Sequence, residues 1–201
     1  MFGMKSLKGT KTAENLLKAY AGESQARNRY TLYASIADKE GYKQISQIFL
    51  ETADNERIHA NRFFKFLVEG FEGELPTTVT ITEATYPVAC GSTLDNLKAG
   101  AAGEKEEWSE LYPHFAEVAE QEGFPEIAAA FKMIAKAETA HEIRYLKLID
   151  NVANGKVFEK DEVVQWKCEK CGYIHTGKSA PQTCPACLHP QAYFELFKET
   201  Y

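Results

Sequence analysis

The motif Glu-x-x-His occurs twice in this chain, at Glu56 and His59 and again at Glu138 and His141, and each glutamate follows a glycine, Gly41 or Gly123, by the same 15 residues. On a helix, side chains three apart lie about 60° from each other on one face. Both motifs interrupt apolar stripes. The first stripe runs Ile45, Ile48, Phe49 and Thr52, passes through Glu56 and His59, and continues as Phe63, Phe66 and Leu67. The second runs Ile127, Phe131 and Ile134, passes through Glu138 and His141, and continues as Tyr145, Leu148 and Ile149. Carboxylates on core-facing stripes cost several kcal/mol each unless a cation neutralises them. The chain is thus constrained to pack helices around a charged interior, and two multivalent cations would remove the cost.

The repeat extends beyond these motifs. Ala21-Gly22-Glu23 matches Ala102-Gly103-Glu104, and Glu40-Gly41-Tyr42 matches Glu122-Gly123-Phe124. Helical periodicity covers residues 12–39, 42–69, 93–122 and 124–152, with breaks at Gly41, Gly70 and Gly123. Glu23 and Glu104 fall within the stripes of the first and third helices, among Leu16, Tyr20 and Tyr30 and among Leu97, Ala101, Leu111 and Phe115. Glu23 precedes Gly41 by 18 residues, whereas Glu104 precedes Gly123 by 19. The third helix therefore carries one extra residue, which a π-bulge would absorb, and Pro113 in that interval opens the hydrogen-bond ladder in any case. Residues 71–92 are rich in Thr, Gly and Pro and long enough to cross the bundle end to end. A four-helix bundle with one long crossover is the ferritin-like arrangement. One Glu from each of two helices plus Glu-x-x-His from each of the others is the ligand pattern of its di-iron or di-manganese members.

One acid breaks the symmetry. Glu107 follows Glu104 by three residues, on the helix with the extra residue, where the first half has Ala26; Glu106 beside it is assigned to solvent.

After Gly155 the pattern changes to short β-prone pieces and turns, which places a domain boundary near residue 160: a bundle over 1–160 and a small module over 161–201. About 40 residues cannot be held by apolar burial alone, so a metal staple is expected. Four of the five cysteines supply it: Cys168 and Cys171 form one Cys-x-x-Cys knuckle, Cys184 and Cys187 the other, and together they suit one tetrahedral ion. The spacing leaves zinc against iron open. His175 and His189 are not needed as donors, His114 is expected at the surface, and Cys90 is expected to be a free, packed or loop thiol rather than a redox one.

Composition narrows the function. With a net charge of −6 and no basic cluster interleaved with aromatics, nucleic acid and anionic membrane are not expected partners. No stretch approaches the roughly 18 apolar residues of a membrane span, and a cytosolic location is the expectation. No Gly-rich dinucleotide fingerprint occurs, so the chain is not expected to bind NAD(P)H itself.

Gly22-Glu23, Glu56-Arg57-Ile58-His59, Gly103-Glu104-Lys105-Glu106-Glu107-Trp108, Tyr112-Pro113, Glu138-Thr139-Ala140-His141 and the terminal Cys-x-x-Cys-Gly-Tyr and Cys-Pro-x-Cys segments resemble the rubrerythrin family over nearly the whole chain. The resemblance implies a mainly α fold, a ferritin-like di-iron bundle joined to a β-rich rubredoxin-like domain with one four-cysteine iron. It implies that Glu56 and Glu138 bridge two irons, that Glu23 and Glu107 bind the first, and that Glu104 and His141 bind the second. It further implies that His59 replaces Glu107 on the first iron upon reduction, and that Tyr30 and Tyr112 stand near the site, either packing or delivering protons. The activity implied is reduction of hydrogen peroxide to water, with electrons relayed through the cysteine centre from a rubredoxin or an NAD(P)H-dependent reductase, in a homodimer. The alternative reading is a ferritin-like ferroxidase that binds iron; Glu107 and the cysteine module argue against it.

Overall fold

The computed structural model describes residues 4–200; residues 1–3 of the first expected domain and residue 201 of the second lie outside it. Two antiparallel helical hairpins make the bundle. The first is α1 (Lys11–Lys39) against α2 (Lys43–Gly70). The second pairs α5 (Pro125–Ala153) with an interrupted helix, α3 (Thr93–Glu106) and α4 (Tyr112–Gln121). Between α3 and α4 the extra residue is taken up by a π-helical turn, Glu107–Leu111, as the unequal spacing predicts. The turn also changes the helix phase. Leu111, expected in the buried stripe, is instead 37% exposed, because the widened turn rotates it off the core face.

The repeat is visible in how the helices end. Gly41 and Gly123 adopt φ of +86° and +82°, a left-handed conformation that favours glycine. The following amides return to the helix, Tyr42 N–H to Ala37 O at 2.9 Å and Phe124 N–H to Ala119 O at 2.7 Å. The glutamates just before these glycines cap the opposite hairpin. Glu40 accepts from Thr93 N at the start of α3 at 3.0 Å, and Glu122 accepts from Lys11 N and Thr12 N at the start of α1 at 3.0 and 2.8 Å. Each hairpin thereby satisfies otherwise unpaired amides of the other.

Residues 71–92 cross the bundle along α1. Glu14 accepts from Thr82 N and Oγ1 at 3.0 and 2.7 Å, Tyr86 Oη donates to Lys18 O at 3.2 Å, and Tyr33 Oη donates to Ala89 O at 2.7 Å. Two apolar layers fill the interior: one around Leu16, Phe63, Phe115 and Phe131, the other around Tyr33, Ile45, Phe49, Leu97 and Leu148. No helix is long and apolar enough to cross a membrane.

The C-terminal module is an antiparallel sheet in the order β2 (Ile174–Ser179), β1 (Glu159–Cys168), β3 (Phe194–Leu196), with Trp166 and Phe194 at its small core. It touches the start of α2, where Gln47 donates to Glu169 at 2.8 Å and Lys43 lies over the Tyr193 ring.

Candidate metal centres

A slice of charge separates the two apolar layers. Glu23 from α1, Glu56 from α2, Glu104 from α3 and Glu138 from α5 are each at most 1% exposed. His59 Nδ1 lies 3.0 Å from Glu56 and 2.8 Å from Glu138, and His141 Nδ1 lies 3.3 Å from Glu56 and 2.8 Å from Glu138. Two overlapping groups result: Glu23, Glu56, His59 and Glu138, and Glu56, Glu104, Glu138 and His141. Within each group one ligand atom per residue lies within 4.8 Å of all the others. Glu56 and Glu138 belong to both.

Several atoms of this cluster lack a well-aligned hydrogen bond. Glu23 Oε2, Glu56 Oε1, Glu104 Oε2, both oxygens of Glu138 and His141 Nδ1 are buried without a hydrogen-bond partner. Unpartnered buried acceptors converging on two points fit a pair of cations. Electrostatics agree. Burial, then the charges of Glu107, Glu56 and Glu138, pushes Glu23 well above the usual carboxylate range. Burial raises Glu104 to about 8 even against the His141 proton. Burial opposes ionisation of Glu138 too, but His141 and His59 hold it down at about 2. Burial disfavours both imidazolium ions, yet the glutamates hold His59 up to about 9 and His141 up to about 12. Without metal, the site stores protons where cations would sit.

Glu107 lies outside both groups. It sits on the π turn, facing a cavity of about 180 Å³ whose walls include Gly22, Tyr86, Gly103 and Tyr112. Burial, then the charge of Glu104, pushes its carboxyl well above the usual range. The corresponding Ala26 is 3% exposed in the core, whereas residue 107 opens the widened turn and lines the cavity. Trp108 Nε1 donates to Glu142 at 2.7 Å and ties the turn to α5. Glu106 and His114 are exposed, as expected from sequence.

Tyr30 and Tyr112 act across the hairpins. Tyr30 Oη donates to Glu104, and Tyr112 Oη donates to Glu23 at 2.5 Å. The exchange is reciprocal: the tyrosine of each half holds the lone glutamate of the other. Sequence reading placed both tyrosines near the site without this pairing. Its signal was present, because Tyr30 follows Glu23 by seven residues and Tyr112 follows Glu104 by eight, the difference being the extra residue. Asn55, whose Oδ1 lies 3.2 Å from His141 Nε2, was also missed.

In the module the sulfur atoms of Cys168, Cys171, Cys184 and Cys187 all lie within 4.8 Å of one another, and the pairs Cys168 with Cys187 and Cys171 with Cys184 are 3.7 Å apart. A disulfide needs about 2.05 Å, whereas a tetrahedral ion with metal–sulfur bonds of about 2.3 Å needs sulfurs about 3.8 Å apart. The knuckles match each other. Cys168 N donates to Tyr173 O and Cys184 N to His189 O, both at 2.8 Å, with Gly172 and Leu188 at φ +77° and +60°. Neither His175 nor His189 joins the cluster. Cys90 is an exposed thiol in the crossover.

Comparison with known proteins follows the same division. The sequence profile of the rubrerythrin domain matches residues 14–149, and that of the rubrerythrin rubredoxin-like domain matches residues 166–195. Rubrerythrin-1 of Clostridium acetobutylicum is 65% identical over 198 residues, 98% of this chain and all of that one. The chain belongs to the rubrerythrin family. Rubrerythrin-like structure reaches further: nigerythrin in a partially reduced state is 31% identical, with a TM-score of 0.62 over 98% of this chain and 94% of that one. The bacterioferritin of Desulfovibrio desulfuricans, 25% identical over 73% of this chain and 82% of that one, gives a TM-score of 0.61. The fold is accordingly a ferritin-like bundle with a rubredoxin-like module. As in rubrerythrins, a carboxylate and histidine di-iron site and a four-cysteine site are the candidate iron centres.

Proposed function

We propose that this chain is a non-haem peroxidase that reduces hydrogen peroxide to water, an oxidoreductase supplied with electrons through its cysteine centre. In this reading Glu56 and Glu138 would be shared by two irons, Glu23 with His59 or Glu107 would hold the first, and Glu104 with His141 would hold the second. The chemistry such a pair supplies is two one-electron oxidations, which with two protons reduce one peroxide to two waters. Glu107 carries the argument: a carboxylate beyond those needed for either group, poised beside a small cavity on a turn built to hold it. A hard carboxylate suits the ferric state and a neutral imidazole the ferrous one, so the two side chains can serve alternate states of one position. Tyr30 and Tyr112, hydrogen-bonded to Glu104 and Glu23, are placed to hold protons at the carboxylates through the cycle.

The wider reading includes residues 1–160 and 161–201 as the two domains, a cytosolic location, a homodimer, and a rubredoxin or NAD(P)H-dependent reductase as donor. Anaerobic, reduced, iron-loaded protein should consume one peroxide per two electrons and turn over with a reduced donor. Oxidation and retention of added ferrous iron without peroxide-dependent donor oxidation would establish the ferroxidase reading in its place. Glu107→Ala should lower peroxide turnover at least about tenfold, the loss of one charged ligand.

A further inference from the structure

Two imidazoles face the carboxylate cluster, and only one has a hydrogen-bond partner on its outer ring nitrogen. His141 presents Nδ1 to Glu138 at 2.8 Å, while its Nε2–H donates to Asn55 Oδ1 at 3.2 Å. His59 presents Nδ1 to Glu56 and Glu138 at 3.0 and 2.8 Å, but among the described residues its Nε2 has no hydrogen-bond partner. The rings stack 6.1 Å apart over the same two bridging carboxylates. The difference between them is written into the repeat. Asn55 immediately precedes Glu56, and the residue in the same place before Glu138 is Ala137, whose methyl group cannot accept a hydrogen bond. Both positions are partly buried. A partner on the second nitrogen fixes a ligand imidazole's orientation and leaves Nδ1 as the donor atom, and losing it typically weakens a metal site by about 10- to 100-fold. A ring without that partner gives up only its inner contact when it swings away.

We propose that Asn55 is a positioning residue that makes His141 the fixed imidazole of the pair, and that alanine at position 137 leaves His59 free to yield its place to Glu107. The inference rests on the ligand assignment proposed above. Its test reads ring protons and metal affinity rather than turnover. In metal-free protein, long-range proton–nitrogen NMR of the histidine rings should find a protected Nε2–H on His141 and none on His59. Asn55→Ala should remove that protection, Asn55→Asp should keep it, and Ala137→Asn should create a second protected proton on His59. Anaerobic competition for ferrous iron should show one of the two ions weakened about 10- to 100-fold in Asn55→Ala but close to wild type in Asn55→Asp. Equal weakening in both variants, equal protection of both rings in the wild type, or unchanged affinity in Asn55→Ala would each overturn the proposal. Wild-type protein that gives these ring and affinity results yet fails to turn over peroxide supports the inference and overturns the proposed activity.

Discussion

His59 and Glu104 connect the site to the stability of the whole bundle. His59 is held up to about 9 from an unfolded value near 6.5, so its contribution is complete below about pH 6.5 and is lost as pH rises through 9. Glu104, raised to about 8, retains a proton that the unfolded chain loses above about 4.5, and works in the same direction. Glu138, lowered to about 2, has the opposite sign but acts only below about pH 4.5. The urea midpoint of metal-free protein should therefore fall between pH 5 and 9, and ferrous iron, which takes the place of those protons, should flatten or reverse the slope. Two smaller tests lie away from the site. Glu122→Ala removes three bonds to the start of α1, from Lys11 N, Thr12 N and Thr12 Oγ1, and should cost about 1–2 kcal/mol in equilibrium unfolding. Leu188 occupies in the second knuckle the left-handed position that glycine occupies in the first, so Leu188→Gly should raise the melting temperature by relieving about 1 kcal/mol. At this scale the repeated spacing singles out Glu23, Glu56, His59, Glu104, Glu138, His141 and the four cysteines, which the structure gathers into clusters, whereas Glu107 lies outside them. That spacing did not disclose Asn55 as a partner of His141, since a single amide on one helix has no periodicity to mark where its oxygen points.

At the scale of elements, the π turn decides what the third helix can hold. Glu107 stands where the other hairpin has the buried Ala26, and the helix widens from that residue onward, Tyr112 N–H reaching back to Glu107 O. Deleting exposed Ser109 restores the spacing of the first half and should destabilise the metal-free protein by several kcal/mol, read from chemical denaturation. If the deletion variant is as stable as wild type, the turn is not what accommodates Glu107. The turn's existence was legible from a one-residue mismatch between repeats. The exposure of Leu111 was not, because a stripe counted at 3.6 residues per turn runs straight through the place where the period changes.

For the molecule as a whole, the two metal centres differ in how far their surroundings depend on them. The bundle has two apolar layers flanking its charged slice, whereas the module's core is little more than Trp166, Phe194, Ala180 and two of the cysteines. Removing metal with a strong chelator should leave the helical circular dichroism largely intact while the module becomes sensitive to protease, and Cys184→Ser should behave the same way without chelator. Loss of the helices in parallel would show that the two parts fold as one. The division into helices and a stapled appendix could be read from periodicity and cysteine spacing. The polar seat of the module on α2, through Gln47, Glu169, Lys43 and Tyr193, could not, because exposed polar pairs leave no pattern in a single chain.

The cross-hairpin bonds have a consequence for how such a site can diversify. Each hairpin supplies one lone glutamate, one Glu-x-x-His and one tyrosine, so two identical hairpins paired about a twofold axis would already enclose both ion positions, and would be obliged to treat them alike. Residues 71–92 join the hairpins into one polypeptide and lift that obligation. Asparagine can then stand at 55 with alanine at 137, and glutamate at 107 with alanine at 26, so that the two candidate ion positions of a nearly symmetric cage are not surrounded alike.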